Sequence, residues 1–85
     1  MITKDNLKYA ISTVNPDRIK IAINGSKDYI KFELHMTNTG SYSTIEETDY
    51  NKEDEHNLQS NGQIYCDKDT FLQLLEDIGV MPFKL

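Results

Sequence analysis

Apolar residues recur at helical spacing at the start of the chain, where Leu7, Ala10, Ile11 and Val14 form one stripe behind Thr3. A threonine there can accept hydrogen bonds from first-turn amides, and Asn15-Pro16 ends the run because the residue before proline is pushed out of the α region. From Arg18 the period changes to two. Ile19, Ile21 and Ile23 alternate with polar or small residues, and after Asn24-Gly25 the alternation resumes as Ile30, Phe32, Leu34 and Met36 against Tyr29, Lys31, Glu33 and His35. Period two marks a half-buried strand, and Asn-Gly is a favoured hairpin turn. The pattern therefore predicts a β-hairpin at Asn24-Gly25, closed by a two-residue turn or by a four-residue loop through Lys27. Either closure puts the isoleucines on the Phe32 face.

Ser41 to Thr48 is rich in β-branched and aromatic residues and predicts a third strand ending near Glu46. Residues 48–61 are polar and charged with only Tyr50 and Leu58 as apolar anchors, which predicts an acidic, mobile loop. A brief strand is expected over Gln63 to Cys66. Asp67 or Asp69 then caps a helix whose Phe71, Leu74, Leu75 and Ile78 share a stripe, with Gly79 as its stop and Pro82 just beyond. The tail residues Met81, Phe83 and Leu85, apolar at alternate positions, are expected to dock on the sheet, the alternative being contact with a partner. The expected fold is α+β: a small two-layer domain with an antiparallel sheet of three to four strands between an N-terminal and a C-terminal helix, in the order α-β-β-β-(β)-α.

Length bounds this further. A chain of 85 residues is one domain, residues 1–85, and buries only about 60% of its unfolded surface, which leaves little room for a deep active site. The lone Cys66 closes no internal disulfide, and the N-terminal residues lack the apolar run of a signal peptide, so a cytoplasmic setting is expected. No apolar stretch approaches the roughly 20 residues that span a bilayer, so no membrane association is expected. Asn24-Gly25-Ser26 matches the glycosylation pattern but reads as a turn. Ile, Lys, Asn and Tyr supply 29 of the 85 residues while Arg occurs once, a skew expected of AT-rich coding in a bacterium, phage or mobile element.

Charge changes the picture most. Residues 1–36 carry six basic and four acidic groups, whereas residues 37–85 carry three basic and ten acidic ones. The acids are densest between Glu46 and Glu55, where Glu46, Glu47, Asp49, Glu53, Asp54 and Glu55 face only Lys52. Such a run either keeps a loop solvated or offers a contact surface to a basic protein. The chain is accordingly expected to be a non-enzymatic protein–protein interaction module, with a variant in which it inhibits a partner by occupying its basic nucleic-acid-binding site. The alternative is a single-strand nucleic-acid binder using the solvent face of the hairpin, where Arg18, Lys20, Tyr29 and Lys31 would combine phosphate contacts with base stacking. A net charge of −5 opposes that second reading.

Other chemistries find no pattern. A calcium loop from Asp49 begins well with Asn51 and Glu53 but has Asp54 where glycine belongs and Ser60 where the bidentate glutamate belongs. His35 and His56 with Cys66 have no zinc spacing, so no metal or other cofactor is expected. Cys66 sits in an expected strand as a small hydrophobe, with no local motif that would make it a nucleophile.

Overall fold

The computed structural model describes residues 3–54 and 62–80. Its elements are α1 (Lys4–Ser12), α2 (Pro16–Asn24), β1 (Tyr29–Thr37), β2 (Gly40–Thr48), a single 3₁₀ turn (Lys52–Asp54), β3 (Gln63–Asp67) and α3 (Lys68–Asp77). The fold is α+β, and the three strands form an antiparallel sheet in the order β2-β1-β3.

α1 is the expected helix: the Thr3 hydroxyl accepts from the Asn6 amide at 3.1 Å, and Leu7, Ala10 and Ile11 are buried. The next segment corrects the sequence reading. Residues 18–23 are helical, not a strand, and no hairpin turns at Asn24-Gly25. Pro16 stands at the first helical turn, where its fixed φ is already suitable, and the Asn15 side chain caps by accepting from the Asp17 amide at 2.9 Å. Ile19 and Ile23 satisfy a period of two and a helical i, i+4 pairing equally well. Ala22 breaks the tie, since Ile19, Ala22 and Ile23 are buried together while Ile21 is 65% exposed.

The hairpin lies instead between β1 and β2. Thr37 pairs with Gly40 across the two-residue loop Asn38-Thr39, and Gly40 has φ 142°. β2 continues to Thr48, two residues past its expected end. β3 and α3 match their expected places. Asp67 is the N-cap of α3, and Gly79 at φ 73° ends it while the Val80 amide returns to the Leu75 carbonyl at 3.0 Å. The tail, Met81 to Leu85, lies outside the described residues.

All three helices contribute to one core on one face of the sheet. Ile30, Phe32, Ile45, Ile64 and Cys66 point inward from the strands to meet Leu7, Ile11, Ile19, Ile23, Phe71 and Leu75. Phe32 and Phe71 are almost wholly buried, and each contributes about 2–3 kcal/mol by leaving water. The loop from α2 to β1 is tied down by the Lys68 amide, which donates to the Asp28 carbonyl at 2.9 Å, and by the Lys68 ammonium, which donates to the Gly25 carbonyl.

The outer face carries its own cluster. Tyr65 of β3 is 5% exposed although it points away from the helices. Tyr29 stacks on it with ring centroids 5.5 Å apart, Tyr50 tilts against Tyr29 at 5.2 Å, and the Asn51 amide donates to the Tyr65 hydroxyl. The chain leaving β2 thus folds back over β1 toward β3. Within the stretch 48–61, residues through Asp54 are described, and residues 55–61 lie outside the described set.

Candidate functional site

β2 and the segment that follows it bring the described residues of the acidic run to one end of the sheet. Glu46 is exposed on its outer face opposite Lys31, and Glu47 points to the helix side, where its carboxylate accepts from the Lys27 amide at 3.1 Å. The Glu47 carboxylate occupies the space that a side chain at Gly25 would need. Asp49 pairs with Lys27 at 2.9 Å while its own side chain stays 84% exposed. The 3₁₀ turn holds Glu53 and Asp54: the Asn51 side chain accepts from the Glu53 amide and donates to the Asp54 carboxylate, each at 3.0 Å. Glu55 lies outside the described residues. The structure therefore gathers Glu46, Glu47, Asp49, Glu53 and Asp54 around the exit of β2.

Local counting of charge missed the cations that meet them. Lys27 and Lys31 come from the basic part of the chain, brought in by the α2–β1 loop and by strand pairing. The Asp49 hydrogen bond and charge, with Glu47 farther away, raise the Lys27 ammonium above the ordinary lysine range. Lys31 is raised chiefly by Glu33, whose carboxylate it meets at 2.9 Å, with smaller contributions from Asp54 and Glu46. Lys31 and Glu33, two apart on one strand, share a face by the strand period alone, but Lys27 and Asp49 lie 22 positions apart and Lys31 meets Glu46 only across the β1–β2 ladder, so no local signal in the sequence points to those contacts.

The alternative surface is divided. Tyr29 and Lys31 do lie on the outer face, but Arg18 and Lys20 belong to α2 on the other side of the sheet, so the four do not form one patch. The reason is the helical state of residues 18–23, which replaces the expected strand. The Tyr29 ring is engaged by Tyr65 and Tyr50. A carboxylate occupies the middle of the face: Glu33 meets Lys31, lies 3.3 Å from His35 and accepts from Gln63 at 3.1 Å, while His35 stacks on Tyr42 at 4.7 Å.

Cys66 faces the core, and His35 faces outward. Burial, with a smaller contribution from Asp67, pushes the thiol up to about 12, which leaves almost no thiolate near neutrality. Among the described residues no three His, Cys, Asp or Glu side chains converge as metal ligands, and no helix is long and apolar enough to cross a membrane. Beside the acidic end, a groove of about 220 Å³ between α2 and β2 is lined by Arg18, Ile21, Ala22, Ile45, Glu46 and Glu47. No protein-family model matches the chain, and neither a curated protein nor a solved structure is detectably similar to it.

Proposed function

We propose that this protein is a non-enzymatic interaction module that presents its acidic end to a protein with a basic surface. The observation that carries the reading is the hydrogen-bonded scaffold under the acids: β2 and the 3₁₀ turn, fastened to Tyr65, hold Glu46, Asp49 and Glu53 exposed in one region. Carboxylates fixed near a neutralising lysine act as a patterned surface, and complementary charge accelerates encounter more than it deepens affinity. In the inhibitory variant these carboxylates stand where a partner would receive phosphates. The source of the chain in a bacterium, phage or mobile element and its cytoplasmic setting belong to the same proposal.

The test replaces Glu46 and Glu53 by Gln and Asp49 and Asp54 by Asn. Association with a basic protein recovered on the immobilised chain should slow by about tenfold at low ionic strength and lose most of its salt dependence. Thermal stability should change little, because exposed pairs contribute only about 0–1 kcal/mol. Unchanged association by a folded variant rejects the reading. Competition between single-stranded DNA and this protein for the same partner separates the inhibitory variant from simple docking.

A further inference from the structure

Among the described residues β2 is an edge strand, paired with β1 on one side only. Its outward backbone groups follow from the pairing of its neighbour. The Leu34 amide donates to the Gly62 carbonyl at 2.8 Å, on the β3 side of β1. Successive residues of a strand alternate the side on which they bond, and Leu34 stands opposite Ser43. Ser43 therefore points its N–H and C=O away from β1, as do Ser41, Ile45 and Glu47. Among the described residues no strand pairs with this edge.

Protection of the edge is selective. Nine residues, Gly40–Thr48, contain no proline or lysine, and their charged side chains, Glu46 and Glu47, are both acidic, so they turn away an acidic strand and admit a basic one. On its helix side lies the α2–β2 groove, with Ala22 and Ile45 in its lining and Ile21 exposed beside it. On its outer side stand Tyr42, Thr44 and Glu46. A strand laid along this edge would alternate between the two environments, an apolar groove with Arg18 and Glu47 at its rim and an outer face ending in the Glu46 carboxylate.

A second copy fits poorly. α2 packs over β2, so two copies joined edge to edge would bring their α2 helices toward strand spacing, about 4.8 Å, whereas packed helices need about 8–10 Å. Each copy also carries a net charge of −5. A bare extended segment brings no helix, and a basic one meets the acids with favourable charge.

We infer that β2 takes up an extended segment of its partner as a fourth strand, with apolar side chains entering the α2–β2 groove and basic side chains beside Glu46. The sign of the partner's charge rests on the acidic-surface reading above; the main-chain pairing does not. The recognition mode is strand addition, in which backbone bonds hold the segment and alternate side chains select it.

The probe is a labelled nine-residue peptide alternating lysine and valine, titrated by fluorescence anisotropy, with amide exchange followed at Ser43 and Ile45. Binding should protect both amides. It should weaken at least tenfold on Ser43→Pro, which removes an N–H that the β1–β2 ladder does not use, and equally when the peptide is N-methylated at alternate residues. If Ser43→Pro fails to fold, the methylated peptide decides. Absence of binding, or unchanged affinity of the methylated peptide, overturns strand addition, and in the second case leaves the acidic-surface reading intact. A glutamate–valine peptide that binds as well as the lysine one, and still requires free amides, overturns the acidic-surface reading and leaves strand addition standing. A free protein that sediments at twice 9.8 kDa and is made monomeric by Ser43→Pro gives the edge to a second copy and overturns the inference.

Discussion

Cys66 and Asp67 are consecutive, yet their environments drive them in opposite directions. The thiol is buried under the helices and moves up from 9.0 to about 12, burial being the larger cause. At pH 8 the native thiolate fraction is lower than that of a free thiol by about a thousandfold, so labelling by a disulfide reagent should be slower by at least a hundredfold until denaturant is added. A thiol whose pKa rises on folding contributes stability that is complete below the unfolded value near 9 and is lost as pH climbs toward 12. Chemical denaturation across pH 8–11 should thus show wild-type stability falling by about 1.4 kcal/mol per unit more than that of Cys66→Ala above pH 9. Parallel pH profiles would contradict the burial argument. Asp67 is lowered, first by the Thr70 hydroxyl, which donates to it at 2.5 Å, and also by the Thr70 amide at 3.3 Å. Its contribution is present above the ordinary carboxylate value and disappears as pH falls through the lower folded one. Asp67→Ala should cost about 1 kcal/mol at pH 7 and less at pH 2, as read by urea denaturation.

At the scale of elements, α2 is the segment where two readings of the same residues give opposite consequences. As a strand, Ile19, Ile21 and Ile23 would all be core. As a helix, Ile19 and Ile23 are core, and Ile21 is 65% exposed. Ile21→Lys should therefore change stability by less than about 0.5 kcal/mol, while Ile23→Ala should cost about 2–4 kcal/mol. Thermal denaturation of the two variants gives the comparison, and equal losses would return the segment to a strand. Pro16 and Asn15 were readable signals for this helix, since proline favours a first turn and asparagine a cap. The alternation of three isoleucines competed with them over a window too short to separate the two periods.

For the molecule as a whole, β1 is the organising element. It is bonded on both sides, by β2 and β3, and supplies Ile30 and Phe32, both fully buried. Local opening cannot expose its amides without separating the sheet, so Ile30 and Phe32 should exchange with deuterium the most slowly, near the rate set by global unfolding. Lys8 on the exposed side of α1 should exchange much earlier. Similar rates at Phe32 and Lys8 would mean that the sheet opens as readily as a peripheral helix. The same sheet joins the two charge halves of the chain: Lys27 from the basic part pairs with Asp49, and Lys31 stands opposite Glu46 across the β1–β2 ladder, so the segregation seen along the sequence is softened in space.

Periodicity and caps alone determined α1, α3, the inward face of β1 and the place of β3, because each rests on nearest-neighbour geometry: a capping oxygen, a stripe at i, i+3 and i+4, or alternation sustained over eight residues. The acidic run was equally plain, since charge needs no fold to be counted. Tertiary structure decided the rest. It chose the helix for residues 18–23, because Ala22 with Ile19 and Ile23 fills the layer over β2 and buries three side chains at once. It moved the hairpin to Asn38-Thr39, where Gly40 can take φ 142°. It brought Lys27 to Asp49 across 22 positions and, among the described residues, left one edge of β2 without a partner strand, and neither fact has a local signature, because long-range pairing is fixed by which faces must be buried together.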